Sequence, residues 1–412
     1  MADSRVLISG GGTGGHLIPA LNLGRALRRA DPNVRLLYLG AERGIEASVL
    51  PEAGVDYRLL PLQPLYRQRP WRNWRLLAAA PRVLTGLRRT FREFDPHLVL
   101  GTGGYVSGPA VLWGTRTGRI TAIQEQNAEP GLVTRMLAGR VDQVHLGYPE
   151  AEMHLTPGPS TAVFSFGNPV RAPDAEASPG FDWPPGRIAL VIGGSQGARG
   201  LNERLLGDLE MAATALAAGE SGRIKEQDWV AAAGAAPGPS AREGPGEPSS
   251  AAPPPRSSWP EDLQLVWVAG PAHAESIAAR VAALPWADRI RVVPFIEGLG
   301  PQLHHAELAI SRAGAMLAAE LSMAAVPTIF VPFPAAAGGH QTPNAAAAVA
   351  AGAAELREEA KLQPGELWGL AVELLDRPAR LAEMREAARG RAHVDAAERI
   401  AAELLRALGT RG

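Results

Sequence analysis

The chain has 412 residues, too many for one ordinary hydrophobic core, and this length predicts two domains. Its formal net charge of −1 favours no class of charged partner. It contains no cysteine, which excludes disulfides, thiol nucleophiles and cysteine-ligated metals. The first residues lack the pattern of a signal peptide, and no apolar run reaches the roughly 18 residues of a membrane span. We therefore expect a cytosolic protein, or one attached only to a membrane surface.

Short apolar runs alternate with helical patterns along the first third of the chain. Residues 6–8 and 36–39 read as buried strands, and the segment between them has apolar residues at helical spacing. The pattern restarts at residues 188–192, after a proline-rich stretch. Such βαβ repetition predicts an α/β fold with two doubly wound parallel sheets.

We predict an N-terminal domain over residues 1–167 and a second domain over residues 168–392. A helical segment over residues 393–412 is expected to pack back on the first domain. Residues 234–260 are rich in glycine, proline and serine and hold little apolar surface, which predicts a disordered insertion. The alternative for this segment is a regulatory or partner-binding role.

Two glycine-rich loops follow predicted strands and open predicted helices. Residues 9–16 read SGGGTGGH and residues 193–200 read GGSQGARG. Glycines let the backbone approach a ligand, and a helix N-terminus offers unpaired N–H groups to an anion. The alternatives are tight turns without a ligand, or a dinucleotide-binding dehydrogenase with Glu42 as a poorly placed ribose acceptor.

Two further classes of site are disfavoured by the motifs. Neither loop ends in the Gly-Lys-Ser/Thr of a nucleoside-triphosphate-binding P-loop. No Asp-x-Asp motif occurs, which argues against a diphosphate held through a divalent metal. We therefore expect no metal site and no cofactor.

Polar residues cluster where predicted strands end, the edge at which parallel sheets bind ligands. Residues 101–109 and 124–131 form two such clusters in the first half. In the second half, Glu320 is a candidate acceptor for ribose hydroxyls, and Gln341 and Asn344 are candidates for sugar hydroxyls. The alternatives are ordinary capping and turn chemistry, and an exposed helical glutamate.

Several strings occur in one order along nearly the whole chain: GGGTGGHLIPA, GTGGYVSGPA, EQNAEPG, GNPVR, IGGSQGARGLN, PFIEGL, SRAGAMLAAEL and HQTPNA. Together they closely resemble the MurG family, bacterial glycosyltransferases of family 28. The resemblance implies a GT-B architecture, two Rossmann-like domains facing a cleft. It also implies inverting transfer of N-acetylglucosamine from UDP-N-acetylglucosamine to the C4 hydroxyl of the muramyl sugar of lipid I, which forms lipid II.

The same resemblance implies site residues. The implied substrate-binding residues are Thr13, Gly14, Gly15, Asn127, Arg171, Ser195, Ile296, Ala315, Met316, Leu317, Ala318, Ala319, Glu320 and Gln341. Arg171 and Ser195 would hold phosphates or the hinge near them, Ile296 the uracil and Glu320 the ribose. His16 and Glu125 are the candidate catalytic residues, and general-base work favours the histidine. The alternative for His16 is a loop-capping role.

Three segments depart from the family pattern. Val268-Ala269-Gly270-Pro271 replaces the His-Gln-Thr-Gly common after the middle strand. Gly338 and Gly339 stand where family members often carry an acid before His-Gln. Val326, after Ala324 and Ala325, replaces the usual glycine before a proline.

Residues 58–92 hold nine arginines and no acidic residue. Trp71 and Trp74 are interleaved with these arginines, a combination typical of an anionic membrane interface. This pattern predicts attachment to a membrane surface, and the family resemblance implies the cytoplasmic face of the plasma membrane. The alternatives are a solvated basic helix or a nucleic-acid patch, but nothing else resembles a nucleic-acid module, so no nucleic-acid partner is expected.

Two rival functions remain open from the sequence. One is a different UDP-sugar enzyme of the same fold, such as an epimerase or a transferase with another acceptor. The other is a nucleotide-sugar-binding protein without catalytic activity.

Overall fold

The computed structural model describes residues 4–64, 70–170, 180–193, 198–218, 259–334 and 339–410. The strands are β1 (Arg5–Ser9), β2 (Arg35–Ala41), β3 (Tyr57–Leu60), β4 (Leu98–Gly101), β5 (Ile120–Glu125), β6 (Gln143–Leu146), β7 (Ala162–Ser165), β8 (Arg187–Ile192), β9 (Leu263–Val268), β10 (Ile290–Val293), β11 (Leu308–Ser311), β12 (Thr328–Phe330) and β13 (Ala354–Leu356). The α-helices are α1 (Gly14–Ala30), α2 (Glu46–Glu52), α3 (Trp74–Phe94), α4 (Gly104–Arg116), α5 (Leu132–Leu137), α6 (Arg199–Ala217), α7 (Ala274–Val281), α8 (Leu299–Gln302), α9 (Ala315–Met323), α10 (Gln341–Ala350), α11 (Glu366–Leu375), α12 (Pro378–Gly390) and α13 (Ala396–Thr410).

The strands form two parallel sheets. The first has the order β3-β2-β1-β4-β5-β6-β7 and the second the order β10-β9-β8-β11-β12-β13. Strands such as β5 and β8 are almost entirely buried, because helices cover both faces of each sheet. The predicted architecture of two doubly wound α/β domains is confirmed.

Each sheet reverses its direction of winding at one point, and both points carry glycine-rich loops. In the first sheet the reversal lies between β1 and β4, and in the second between β8 and β11. The loops that follow these strands diverge to opposite faces of the sheet and leave a crevice at its carboxyl edge. The fold therefore places the starts of α1, α4 and α9 around ligand-binding crevices.

The chain crosses between the two sheets twice, and the crossings lie side by side. A Cβ added at Gly167, in the first crossing, would lie 2.4 Å from the Cβ of His393 in the second. After the second crossing, α13 packs on the first domain, where Ile400 and Leu404 are fully buried in the same cluster as Leu17 and Leu23 of α1.

The predicted disordered insertion, residues 234–260, lies outside the described residues except for its last two positions. At Trp259 the prediction was wrong, because this side chain is buried. Its ring stacks at 4.7 Å on Trp368 and at 5.4 Å on Trp286, and its Nε1 donates to the Leu263 carbonyl. The second-domain core therefore resumes at Trp259, one residue before the predicted end of the insertion.

The helix that lines the second crevice, α9, ends in a left-handed turn. The Val326 N–H donates to the Leu321 carbonyl at 2.9 Å and the Ala325 N–H to the Ser322 carbonyl at 3.0 Å. This bonding is that of a Schellman motif, which requires a left-handed residue at Ala325, where φ is +54°. An alanine is strained there, since its Cβ crowds the following carbonyl.

Ala325→Gly should raise the free energy of unfolding by about 0.5–1 kcal/mol, since glycine adopts positive φ without steric cost. The measurement is denaturant unfolding. Ala324→Gly is the matched control, because Ala324 is right-handed (φ −78°) and glycine there should destabilise by a similar amount. Equal effects of the two substitutions would show that Ala325 carries no backbone strain.

Candidate active site

The loop between β4 and α4 packs against His16, which lies in the first turn of α1. The Thr102 hydroxyl donates to the His16 carbonyl at 2.8 Å. A Cβ at Gly103 would lie 2.6 Å from His16 Nδ1, and one at Gly104 would lie 2.2 Å from the Gly11 carbonyl oxygen. Both glycines have positive φ, so no other residue fits here without displacing the histidine.

A buried glutamate fixes the first glycine loop, residues 9–16, by a hydrogen bond to its main chain. Glu46, at the start of α2, is fully buried, and its Oε1 accepts a hydrogen bond from the Gly12 N–H at 2.8 Å. A Cβ at Gly11 would lie 1.8 Å from the same oxygen. Sequence reasoning did not identify Glu46, because its separation from the loop along the chain carries no motif.

Glu125, a candidate catalytic residue, is buried at the end of β5 with both oxygens engaged. Oε1 accepts from the main-chain N–H and the side-chain amide of Asn127, at 3.1 and 3.0 Å. Oε2 accepts from the Gly131 N–H at 2.9 Å and the Thr134 hydroxyl at 2.6 Å. This geometry makes the carboxylate the organiser of the loop between β5 and α5, and leaves it poorly placed to take a proton from substrate.

His16 is half-buried. Among the described residues, Gln126 is the only one whose side chain forms a hydrogen bond with the His16 ring. Its Nδ1 lies 3.0 Å from Gln126 Oε1. Thr13, Gly14 and Gly15 stand beside it at the helix start, where the first N–H groups have no intrahelical partner. The loop can therefore present both an imidazole and main-chain donors to a ligand.

The second domain contributes α9 to the opposite side. Gly314 is its N-cap, and the N–H groups of the first turn have no intrahelical acceptor. Ala315, Met316 and Ala318 are buried, whereas Leu317, Ala319 and Glu320 are partly exposed. Although part of the Glu320 residue is accessible, desolvation of its carboxyl group raises the pKa of Glu320 to about 7. Its carboxyl group faces Gly300 of α8, where a Cβ would lie 3.4 Å away.

Ile296 and Gln341 complete the described second-domain candidates. The Ile296 side chain is buried in the second-domain core, so only its main chain could meet a ligand. Gln341 Oε1 accepts a hydrogen bond from the Phe333 N–H at 2.8 Å, which ties the start of α10 to the loop after β12. Arg171 and Ser195 lie outside the described residues.

Asn344 joins the two domains. Its Oδ1 accepts from the Ala128 N–H at 2.8 Å, and its Nδ2 donates to Asn127 Oδ1 and to the Ala313 carbonyl, both at 3.2 Å. The sequence had made Asn344 a candidate for sugar hydroxyls, which was wrong, because the side chain is fully buried and its amide is occupied. It instead holds the loop after β5 against α9.

The two loops that Asn344 joins meet in a small apolar contact. Ala128 and Tyr148 of the first domain are buried against Ala315 and Ala347 of the second. Helices α1 and α9 also come into contact across the domain boundary. Across the part of the chain that the structure describes, no group of three or more histidine or acidic side chains could hold a metal ion.

The structure has two domains, each built on a parallel sheet, and glycine-rich loops precede the helices that begin at the cleft between them. These features define the GT-B class of nucleotide-sugar enzymes. The model of the glycosyltransferase family 28 N-terminal domain matches residues 6–146, and that of the family 28 C-terminal domain matches residues 188–400. The chain belongs to glycosyltransferase family 28. The predicted enzyme class is thereby confirmed, and the dehydrogenase alternative is set aside.

Relatives cover nearly the whole chain. A Moorella thermoacetica protein is 33% identical over 98% of both chains, and a Carboxydothermus hydrogenoformans protein is 32% identical over 93% of this chain and 92% of its own. Both are named UDP-N-acetylglucosamine–N-acetylmuramyl-(pentapeptide) pyrophosphoryl-undecaprenol N-acetylglucosamine transferase. The crystal structure of Acinetobacter baumannii MurG superposes with a TM-score of 0.68 at 25% identity, over 98% of this chain and 99% of that one.

Glu320 should make stability depend on pH. Its folded-state pKa, about 7, lies above the ordinary carboxyl value, so the folded protein binds this proton more tightly than the unfolded chain does. The resulting stabilisation is complete below about pH 4.5 and is lost as the pH rises through about 7. Glu320→Gln stays neutral and should remove this loss. On going from pH 5 to pH 8, the free energy of unfolding of the variant should therefore rise by about 1–3 kcal/mol relative to that of the unmodified protein.

Denaturant unfolding at both pH values measures this difference. The exposed Glu152→Gln is the matched control and should follow the unmodified protein. A Glu320→Gln variant with the same pH dependence as the unmodified protein would show that Glu320 is not desolvated.

Proposed function

We propose that this chain transfers N-acetylglucosamine from UDP-N-acetylglucosamine to the C4 hydroxyl of the N-acetylmuramyl sugar in an undecaprenyl-pyrophosphoryl-linked acceptor, with inversion at the transferred carbon. Its relatives at 32–33% identity carry the name of this transferase over nearly the full chain. The structural observation that carries the proposal is the contact of α1, which carries His16 in its first turn, with α9 across a boundary held by Asn344.

The donor binds mainly to the second domain in this proposal. The diphosphate lies at the start of α9, where unpaired N–H groups and the positive end of the helix dipole compensate its charge. Glu320 accepts hydrogen bonds from the ribose hydroxyls, the main chain of Ile296 meets the uracil, and Gln341 reaches the sugar. Arg171 and Ser195 are assigned to the phosphates or the nearby hinge through the family resemblance alone.

The acceptor binds to the first domain, beside the first glycine loop. His16 takes the proton of the attacking C4 hydroxyl as the bond from that oxygen to the sugar C1 forms, while the bond from C1 to the UDP oxygen breaks. The negative charge that develops on the leaving diphosphate is stabilised by the N–H groups at the start of α9. Glu125 keeps its four hydrogen bonds throughout and orders Asn127 at the cleft.

His16→Ala should lower kcat by about 10²- to 10⁴-fold with a nearly unchanged KM for the donor, since the base acts only in the transition state. The measurement follows radiolabelled UDP-N-acetylglucosamine into a short-chain lipid acceptor, with the product separated by chromatography. The exposed His154→Ala is the matched control and should retain full activity.

Each alternative predicts a different outcome of this assay. Full activity of His16→Ala would exclude it as the base. Donor turnover without labelled lipid would favour another UDP-sugar enzyme, and donor binding without any turnover would favour a binding protein.

An exposed apolar and basic surface over residues 71–77, in the first turn of α3 and the short turn before it, fits the lipid-linked acceptor. Trp71, Trp74 and Leu77 are 70%, 62% and 78% exposed, an unusual amount of apolar surface for a helix facing water. Arg75 lies 5.9 Å from the Trp74 ring. Arg58 and Arg89 contribute less charge than the sequence suggests, because both pair with Glu93, at 2.5 and 2.8 Å.

We propose that this surface binds the anionic cytoplasmic leaflet of the membrane. Arg67 and Arg69, which belong to the same basic stretch of the sequence, lie outside the described residues. Basic side chains near such a surface contribute about 1 kcal/mol each, and tryptophan rings lodge at the headgroups. Within the described residues, no helix is both long and apolar enough to cross a membrane.

Replacing Trp71 and Trp74 together with alanine should weaken binding to phosphatidylglycerol-containing vesicles at least roughly tenfold, because two interfacial rings are lost. Vesicle co-sedimentation measures this binding. The KM for UDP-N-acetylglucosamine should stay within about twofold, since α3 carries no proposed donor contact. Met153→Ala, which removes an 80% exposed apolar side chain elsewhere, is the control. Undiminished vesicle binding of the double variant would refute the assignment.

A further inference from the structure

A chain of three buried amides leads from the ring of His16 into the first domain. His16 Nδ1 lies 3.0 Å from Gln126 Oε1, and the Nε2 of Gln126 contacts Gln124 Oε1 in a short hydrogen bond. Gln124 Nε2 in turn lies 3.2 Å from Asn168 Oδ1. The three amide side chains are at most 3% exposed, so each hydrogen bond is made inside the protein.

Main-chain carbonyls fix the direction of these amides. Gln126 Nε2 lies 2.8 Å from the Thr102 carbonyl and 3.2 Å from the Gln124 carbonyl, and Asn168 Nδ2 lies 2.9 Å from the Gln126 carbonyl. A carbonyl oxygen can only accept, so the NH₂ group of Gln126 must face Thr102 and Gln124. Turning the amide over would bring its oxygen against three acceptors and leave them unpaired in the interior.

The proton on His16 follows from this direction. With its NH₂ group committed, Gln126 can present only an oxygen to the ring, and an oxygen needs a donor. Nδ1 must therefore carry the proton. In the neutral imidazole one nitrogen is a donor and the other an acceptor, so the lone pair lies on Nε2.

We propose that Gln126 is a positioning residue that holds His16 in the Nδ1-protonated tautomer and so keeps Nε2 free to accept the proton of the acceptor hydroxyl. This inference rests on the proposed role of His16 as the base. Gln126 touches no substrate in this mechanism. Its oxygen orients the ring before the reaction and stabilises the imidazolium that forms when Nε2 takes the proton, a task that a carboxylate performs in serine proteases.

The unmodified protein gives the first test, and it needs no variant. ¹⁵N NMR of protein labelled at its nine histidines distinguishes protonated from unprotonated ring nitrogens, and His16→Ala identifies the signals of His16. We expect a protonated Nδ1 and an unprotonated Nε2. The opposite tautomer would overturn the inference whether or not His16 proves to be the base.

Gln126→Leu gives the second test. In this variant we expect the His16 signals to shift toward the Nε2-protonated form. We also expect kcat to fall roughly 10- to 1000-fold, which is less than the loss of about 10⁴-fold caused by a wrong histidine tautomer in a serine protease. The KM for UDP-N-acetylglucosamine should stay within about twofold. Combined with His16→Ala, the substitution should cost nothing further in kcat, because the two residues act as one unit.

Gln126→Glu keeps an oxygen acceptor beside Nδ1 but removes the amide donor to the Thr102 and Gln124 carbonyls, so we expect it to destabilise the fold. It should nevertheless retain the Nδ1 proton and more activity than Gln126→Leu. Gln143→Leu is the matched control. Gln143 Oε1 lies 3.1 Å from Nε2 of His145, another buried histidine–glutamine pair of the same domain. Its loss should alter the His145 signals and leave kcat unchanged. A Gln126→Leu variant that keeps the Nδ1 tautomer, or kcat within twofold of the unmodified protein, would overturn the inference.

Discussion

The starts of α1 and α9 leave main-chain N–H groups without intrahelical acceptors, and these groups need an anion or water as a partner. Both helices begin where a parallel sheet reverses its winding, so the donors open into crevices rather than into packed cores. No charged side chain is needed to hold a diphosphate in such a place, because oriented amides and the helix dipole supply the compensating charge. Among the described candidates, Thr13, Gly14, Gly15 and His16 lie at the first of these helix starts, and residues 315–320 lie on the second helix.

Loops that expose their main-chain amides to a ligand need other interactions to fix their conformation. In the first domain, buried polar side chains provide these interactions through hydrogen bonds. Glu46 binds the first loop through the Gly12 N–H, Glu125 binds the loop after β5, and Gln126 binds His16. A buried carboxylate or amide is costly unless its hydrogen bonds are made, so each of these side chains selects one loop conformation. The result is a preorganised cleft wall.

The second domain is attached to this wall at few places. Asn344 and the small apolar cluster around Ala128 join the first domain to α9 and α10, and the paired crossings at Gly167 and His393 form a second connection. Helix α13 returns the end of the chain to the first domain, where Ile400 and Leu404 are buried against α1. The two domains are thus tied by two adjacent crossing segments, the polar bridge at Asn344, a small apolar cluster and a contact between α1 and α9. This arrangement defines the cleft without filling it.

The sequence by itself determined the fold class, the two glycine loops and the enzyme class. Alternating strand and helix patterns are local, and a parallel sheet buries both faces of its strands, so apolar runs mark the strands directly. The strings that carry the family resemblance are equally local. The roles of His16 and Glu320 could be suggested because each lies within such a string.

Only the tertiary structure decided which candidate polar side chains have their hydrogen-bonding groups already engaged within the protein. Asn344 and Ala128 are 216 residues apart, and His16 and Gln126 are 110 apart, so no spacing in the sequence indicates that they meet. The residue type alone does not show whether an amide or carboxylate side chain forms its hydrogen bonds with a sugar or with the protein backbone. Burial and the saturation of its lone pairs decide between these uses, and both depend on chain segments that come together only when the two sheets fold and dock.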